Sequence, residues 1–215
     1  MPDLLLYDYW RSSAAFRVRL ALAWKGLDWQ RVPIDLRHGE QSTAAYRALN
    51  PQGLVPLLVN DGQPMAQSLA IMEYLDEVHP SPPLLPVEPL ARAKVRAAAQ
   101  MVACDIHPIN NLRVLRYLKD PLGHDQATID TWARHWIEAG LTALEAFAAQ
   151  EGGACLWGDM VTIADFCLLP QLYNARRVAA DLSRSPRLVA IESRLLLRPE
   201  ISRAHPDHDP DRTGG

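Results

Sequence analysis

The chain opens on a short apolar run, Leu4-Leu5-Leu6-Tyr7, that gives way to a hydroxyl-rich turn and then to a helical pattern. A run of this length reads as a buried strand. Ser12 and Ser13 are natural N-caps for the next helix, because their hydroxyls accept from the N–H groups of its first turn. That helix carries Val18, Leu20, Ala21 and Trp24, and Gly26 ends it. A second strand is predicted from Trp29 to Ile34, at a sheet edge because Pro33 cannot donate to a ladder. A short helix over residues 43–49 stops at Asn50-Pro51, since the residue before proline avoids the helical region. Residues 52–59 read as a loop entering a third strand. Asn60-Asp61-Gly62 is a hairpin signal that makes the third and fourth strands antiparallel. Ser68 is predicted to cap a helix with Leu69, Met72 and Leu75 on one face. The order βαβαββα over residues 1–80 describes a compact mixed sheet with covering helices.

The pattern then changes. Residues 80–86 hold four prolines in seven positions, which predicts a stiff linker over 81–88. Long helical patterns fill 89–205. One runs over 91–118 with a break at Pro108, and a second over 126–149. Thr162-x-x-Asp165 has the form of a capping box. It starts a third helix, reaching to about residue 180 and interrupted by Pro170. A shorter helix follows Pro186. Residues 206–215 are rich in Asp, Pro and Gly and have little to bury, which predicts a disordered tail.

Composition narrows the function classes. The 215 residues are 48% hydrophobic and 22% charged, with a net charge of −3. That balance gives no reason to expect a nucleic acid or an anionic membrane as partner. The three cysteines contain no C-x-x-C pair, which fits a reducing compartment and not a disulfide scaffold. Cys104-x-x-His107 has no second ligand pair at zinc spacing, so no metal is expected. The N-terminus lacks a signal-peptide pattern and no apolar run reaches a membrane span, so a cytoplasmic location is the default.

Three short stretches could carry chemistry. The helix N-terminus at Ser12 and Ser13 suits an anion or a thiolate. A cis bond at Val55-Pro56 would turn the Val55 main chain outward, toward an extended peptide. Gln67-Ser68 offers an amide, a hydroxyl and a helix start to a carboxylate. Taken singly, each also fits an ordinary cap or turn. Taken together they resemble the glutathione site of the glutathione transferase family. Within that family, Trp10-Arg11-Ser12-Ser13-x-x-Phe16-Arg17-Val18-Arg19-Leu20-Ala21-Leu22 is similar to the zeta-class signature. The stretches from Cys104 to Arg113 and from Asp165 to Arg177 are similar to the same class, and especially to its bacterial maleylacetoacetate and maleylpyruvate isomerases. One departure stands out: the cysteine of the class signature is Ala14 here.

The resemblance implies a thioredoxin-like α/β first domain and an all-α C-terminal domain, a cytoplasmic homodimer, and glutathione as cofactor. It implies isomerisation of a cis-configured acid such as maleylacetoacetate or maleylpyruvate to its trans isomer. The roles it implies are Ser12 or Ser13, with Arg11, at the thiolate; Ser12, Gln41, Val55, Gln67, Ser68, His107 and Asn111 on glutathione; and Arg11, Arg113, Arg176 and Arg177 on the small dicarboxylate substrate, with Arg177 the better match of the last pair. Tyr7 and Tyr9 are rivals for thiol activation, since other classes use a tyrosine at the end of the first strand. A broad conjugating transferase and a non-catalytic glutathione-binding protein are the alternative functions.

Overall fold

The computed structural model describes residues 4–209, 211 and 212. The chain divides into two compact units, the first running to Leu84 and resumed from Leu197, the second spanning Leu85–Leu196. The first unit contains β1 (Leu4–Asp8), α1 (Ser13–Trp24), β2 (Gln30–Pro33), a 3₁₀ turn (Glu40–Ser42), α2 (Ala44–Leu49), β3 (Leu57–Asn60), β4 (Gln63–Ala66) and α3 (Ser68–Val78). The second contains α4 (Pro89–Gln100), α5 (Leu112–Lys119), α6 (Gln126–Glu151), α7 (Ile163–Arg177) and α8 (Pro186–Leu195). A last helix, α9 (Pro199–Arg203), lies in the resumed part of the first unit.

The sheet has the order β2-β1-β3-β4. β1 is parallel to β2 and antiparallel to β3, and β3 pairs with β4 across the hairpin. β2 therefore lies at the edge, where Pro33 requires it. Leu4, Leu6 and Asp8 are buried on one face of β1, and Tyr7 lies on the other. The Tyr7 ring meets Tyr46 of α2 at 5.8 Å, beside a cluster of Tyr9, Trp10, Ile34, Val55 and Leu57.

α1 is buried almost all round, and its buried residues include Arg17 and Arg19. Charges on such a helix need partners. Arg19 Nη1 lies 2.7 Å from both oxygens of the fully buried Asp8. Its Nη2 donates to the Trp10 carbonyl at 2.9 Å. Arg31 Nε donates to Asp8 at 2.9 Å, and Arg31 Nη1 reaches Asp209 at 2.6 Å and Asp211 at 3.1 Å. Arg203 donates to the Ala23 carbonyl at 3.1 Å, and the His205 ring meets Phe16 edge-on at 5.5 Å.

Two expectations are corrected here. The helical domain does not extend to residue 205, because the chain from Leu197 belongs with the first unit. Nor is the tail wholly disordered: Pro206–His208 form a 3₁₀ turn, and Asp209 and Asp211 answer Arg31. Composition cannot show that an acidic tail has an arginine waiting for it on a distant strand. Pro210 and residues 213–215, which also belong to that expectation, lie outside the described residues.

The proline-rich segment is tied down as well. Lys25 Nζ donates to Asp76 at 2.8 Å and to the carbonyls of His79 and Pro82 at 2.6 and 2.9 Å. Asp76 also accepts the Leu84 N–H at 2.8 Å. The boundary thus falls after Leu84, inside the predicted linker.

In the second unit the predicted long helix breaks at Pro108, as expected. The break is drawn out: α4 widens into a π-helical turn at Met101–Ile106 and then tightens into a 3₁₀ turn at Pro108–Asn110. α6 packs closely against the π turn, since a Cβ on Gly140 would lie 2.3 Å from Ile106 Cγ1. α7 runs through Pro170 without interruption and is buried along most of its length. Packing on every side outweighs the roughly 3 kcal/mol a mid-helix proline costs.

α7 starts with the predicted capping box. Thr162 Oγ1 accepts from Ala164 N at 3.3 Å, and Asp165 accepts from Thr162 N at 2.8 Å and Leu156 N at 2.7 Å. Burial outweighs these donors and pushes the Asp165 carboxyl up to about 6. The folded protein therefore holds this proton more tightly than the unfolded chain. Its stabilising contribution is full at low pH and is lost as pH rises toward the folded value. The stability advantage of the wild type over Asp165→Asn is expected to shrink by roughly 2 kcal/mol between about pH 4 and pH 7. Urea unfolding of both proteins across that range tests this; a pH-independent difference contradicts it.

Candidate functional site

The turn between β1 and α1 is built around Ser12. Its N–H donates to the Tyr9 carbonyl at 2.8 Å, and its hydroxyl caps α1 by accepting from Ala15 N at 3.2 Å. A hydroxyl that has accepted in this way still has its proton to donate, here beside the positive end of a helix. Ser13 is the first residue of α1 and is buried. The Arg11 guanidinium lies over the Trp10 ring, 5.4 Å from its centroid. The Tyr9 hydroxyl is sealed from solvent with no protein partner, and Tyr7 packs its ring on Tyr46. Ser12 is thus the better placed hydroxyl.

The second element is the approach to β3. The Leu54 carbonyl is pinned by two donors, Tyr46 Oη and Asn50 Nδ2, each at 2.7 Å. Burial pushes the Tyr46 hydroxyl up to about 12, so it remains a donor. Val55–Pro56 is cis, as the sequence suggested. Among the described residues, neither main-chain polar group of Val55 takes part in a main-chain hydrogen bond. Gly53 has φ 61°, and a Cβ there would lie 2.8 Å from the Gln41 carbonyl oxygen. Only glycine allows the two loops to meet so closely. The Gln41 Oε1 is buried there with no protein partner.

The third element is the start of α3. Gln67 holds φ 73° and ψ 111°, a conformation that costs a non-glycine residue about 1–3 kcal/mol and is typical of ligand clamps. Its Nε2 donates to Gln52 Oε1 at 2.8 Å. This backbone moves the helix start by one residue, so Gln67, and not the predicted Ser68, is the N-cap position. Ser68 is buried at the first helical position, and its hydroxyl accepts from Arg17 Nη1 at 3.2 Å. The buried face then falls on Ile71, Met72 and Leu75, with Ile71 in place of the predicted Leu69.

The second unit positions the remaining residues through its helix break. Trp132 Nε1 of α6 donates to the Ile109 carbonyl at 3.0 Å, and Asn110 Nδ2 donates to the Ile106 carbonyl at 3.0 Å. His107 ends the π turn, its N–H donating to the Val102 carbonyl at 2.9 Å. Asn111 caps α5, accepting from Arg113 N at 3.2 Å, and Arg113 is exposed on the first turn. Arg176 serves a different purpose from the one predicted: both terminal nitrogens grip the Glu192 carboxylate and tie α7 to α8. Arg177 is exposed, with Nη1 donating to Asn174 at 3.4 Å. Among the described residues no group of three metal-ligating side chains occurs.

In the sequence Arg17 stands out only as part of a signature; the fold buries it in α1 with Nη1 on Ser68, where a charge needs a partner.

The first unit therefore holds a hydroxyl at one helix start, a length of main chain without main-chain partners, and a strained second helix start with a buried hydroxyl. Residues 11–78 match the family described as glutathione S-transferase, N-terminal domain. The chain is 44% identical to the probable maleylacetoacetate isomerase of Vibrio cholerae, over 98% of this chain and 99% of that one. A holo structure of maleyl pyruvate isomerase, described as a bacterial glutathione S-transferase of the zeta class, superposes with a TM-score of 0.94 at 42% identity, covering 96% of this chain and 99% of the other. A maleylacetoacetate isomerase from Anaeromyxobacter dehalogenans 2CP-1, solved with bound dicarboxyethyl glutathione and citrate, superposes with a TM-score of 0.87 at 43% identity over 97% of each chain.

Proposed function

The chain belongs to the glutathione transferase family, in its zeta class, and we propose that it is a glutathione-dependent cis–trans isomerase acting on maleylacetoacetate. The observation that carries this reading is the Ser12 hydroxyl at the N-terminus of α1, joined in one unit by Val55 and Ser68. Bound glutathione supplies a thiolate that adds to the carbon–carbon double bond, permits rotation and leaves again. The protein's own contributions follow from its geometry. Ser12 donates its proton toward the sulfur while the helix terminus holds negative charge there. The Val55 main chain pairs with the extended peptide. Gln67 and Ser68 hold the γ-glutamyl carboxylate, and Gln41, His107 and Asn111 complete the cofactor's contacts. Arg11, Arg113 and Arg177 take the substrate carboxylates and the charge that develops as the thiolate adds, a task suited to a permanently charged, bidentate donor. Arg176, committed to Glu192, is left out of this set.

The dicarboxyethyl glutathione seen in the Anaeromyxobacter enzyme is the thioether expected when that thiol meets a four-carbon unsaturated diacid, which supports a dicarboxylate substrate. The Ralstonia protein named maleylpyruvate isomerase, 42% identical, keeps that acid as the second substrate reading. A cytoplasmic homodimer is part of the same proposal, by analogy with the family. No helix among the described residues is long and apolar enough to cross a membrane.

Arg11→Ala and Arg113→Ala are each expected to lower kcat/KM for isomerisation by about tenfold to a hundredfold, with the Kd for glutathione changing by less than about twofold. Steady-state rates on both acids, with glutathione affinity measured by calorimetry, test this. Unchanged turnover in both variants removes the arginine assignment, and a higher kcat/KM on maleylpyruvate reassigns the substrate.

A further inference from the structure

Arg17 is buried in α1 with a relative exposure of 2%. Its Nη1 donates to Ser68 Oγ at 3.2 Å, while Nε and Nη2 are sealed from solvent and have no hydrogen-bond partner. Among the described residues no carboxylate is paired with it, in contrast to Arg19 and Arg31 of the same unit, which share Asp8. An uncompensated buried cation is costly, and the folded chain gains nothing from it that an apolar side chain of similar length would not supply. Its cost makes sense if the missing negative charge arrives with a ligand. The one group Arg17 does touch, Ser68, stands at the first position of α3, next to the strained Gln67 backbone.

The direction of the hydrogen bond matters. Because the guanidinium can only donate, the Ser68 oxygen is the acceptor, and the hydroxyl proton is left to point elsewhere. Arg17 thereby fixes Ser68 as a donor and adds a positive charge behind the helix terminus. Its own unpaired nitrogens are closed off from solvent, so it acts through Ser68 and through its field. We propose that Arg17 is a positioning residue for glutathione, polarising Ser68 so that this corner of the first unit selects the α-carboxylate of the γ-glutamyl group. This rests on the reading of Gln67-Ser68 as the γ-glutamyl site.

The test compares the full chain's affinity for glutathione with that for the analogue carrying 4-aminobutyryl in place of γ-glutamyl, which lacks only that carboxylate. Isothermal titration calorimetry of the wild type is expected to show a preference for glutathione on the order of 100-fold, the scale of charge-assisted hydrogen bonds. In Arg17→Met the preference should fall below about tenfold, while affinity for the analogue changes by less than about twofold. Arg17→Lys, which restores the charge and one donor, should recover most of it. Ser68→Ala should lose the preference as Arg17→Met does, and it decides the matter if Arg17→Met fails to fold. Wild-type preference retained in Arg17→Met or Ser68→Ala, or equal loss of both ligands, overturns the proposal. Failure of the wild type to bind glutathione overturns the γ-glutamyl reading itself, a separate result.

Discussion

Ser12→Ala is expected to raise the pKa of enzyme-bound glutathione by about one to two units and to lower kcat for isomerisation by about tenfold to a hundredfold. The expectation follows from the hydrogen bonds at this turn. The Ser12 oxygen is occupied as acceptor of the Ala15 N–H, so its proton is directed away from the helix. A hydrogen bond to a thiolate, lost in the variant, is worth about 1.5–3 kcal/mol, and one pKa unit corresponds to about 1.4 kcal/mol. The cap is lost as well, at about 1 kcal/mol of stability. Ser13→Ala is the informative control. Ser13 is buried inside the first turn, and its removal should change the thiol pKa by less than about half a unit. Thiolate absorbance of the glutathione complex, titrated in each variant, separates the two. Equal shifts assign the sulfur jointly to both serines. No shift in either returns the role to a tyrosine, with Tyr7 the candidate because the Tyr9 hydroxyl is sealed off. Ala14 gives the turn no thiol of its own, so no covalent route competes with this hydroxyl.

Asp8→Ala is expected to destabilise the protein by about 3–5 kcal/mol, a large part of the stability of a domain this size. Asp8 is fully buried and answers two arginines, Arg19 on α1 and Arg31 on the edge strand. Removing the carboxylate leaves Arg19 buried without its counter-charge. The same change loosens two further elements. Arg19 Nη2 holds the Trp10 carbonyl, directly before Arg11 and Ser12, and Arg31 holds Asp209 of the C-terminal segment. Urea unfolding at neutral pH measures the loss, and the first-unit tryptophans Trp10, Trp24 and Trp29 report on it. A change below about 1 kcal/mol would show that the network is not the fixed frame of the turn.

The contrast between these two sites explains what the sequence made readable. The Asn60-Asp61-Gly62 hairpin and the Thr162 capping box rest on contacts between residues close in the chain, where spacing and side-chain type suffice. Ser12 was legible for the same reason, being a cap three residues from its donor. Arg17, Asp8 and Asp209 depend on partners 51, 23 and 178 positions away, and no local pattern encodes such distances. Pro170 looked like a break because propensity is local, whereas burial on all sides of α7 decides the outcome. Arg176 is the weaker match of its pair in the sequence, and the position of Glu192 then sets it apart from Arg177. Ser68 was right in kind and one position out as a cap, because the left-handed backbone of Gln67 is not announced by a glycine.

The most direct test of the central claim follows maleylacetoacetate with the purified protein under three conditions: with glutathione, without it, and with S-methylglutathione in its place. The expected result is turnover to the trans isomer only with free glutathione, with the total thiol unchanged after many cycles and S-methylglutathione acting as a competitive inhibitor. Equal turnover without the thiol, or consumption of one glutathione for each substrate molecule, would contradict it.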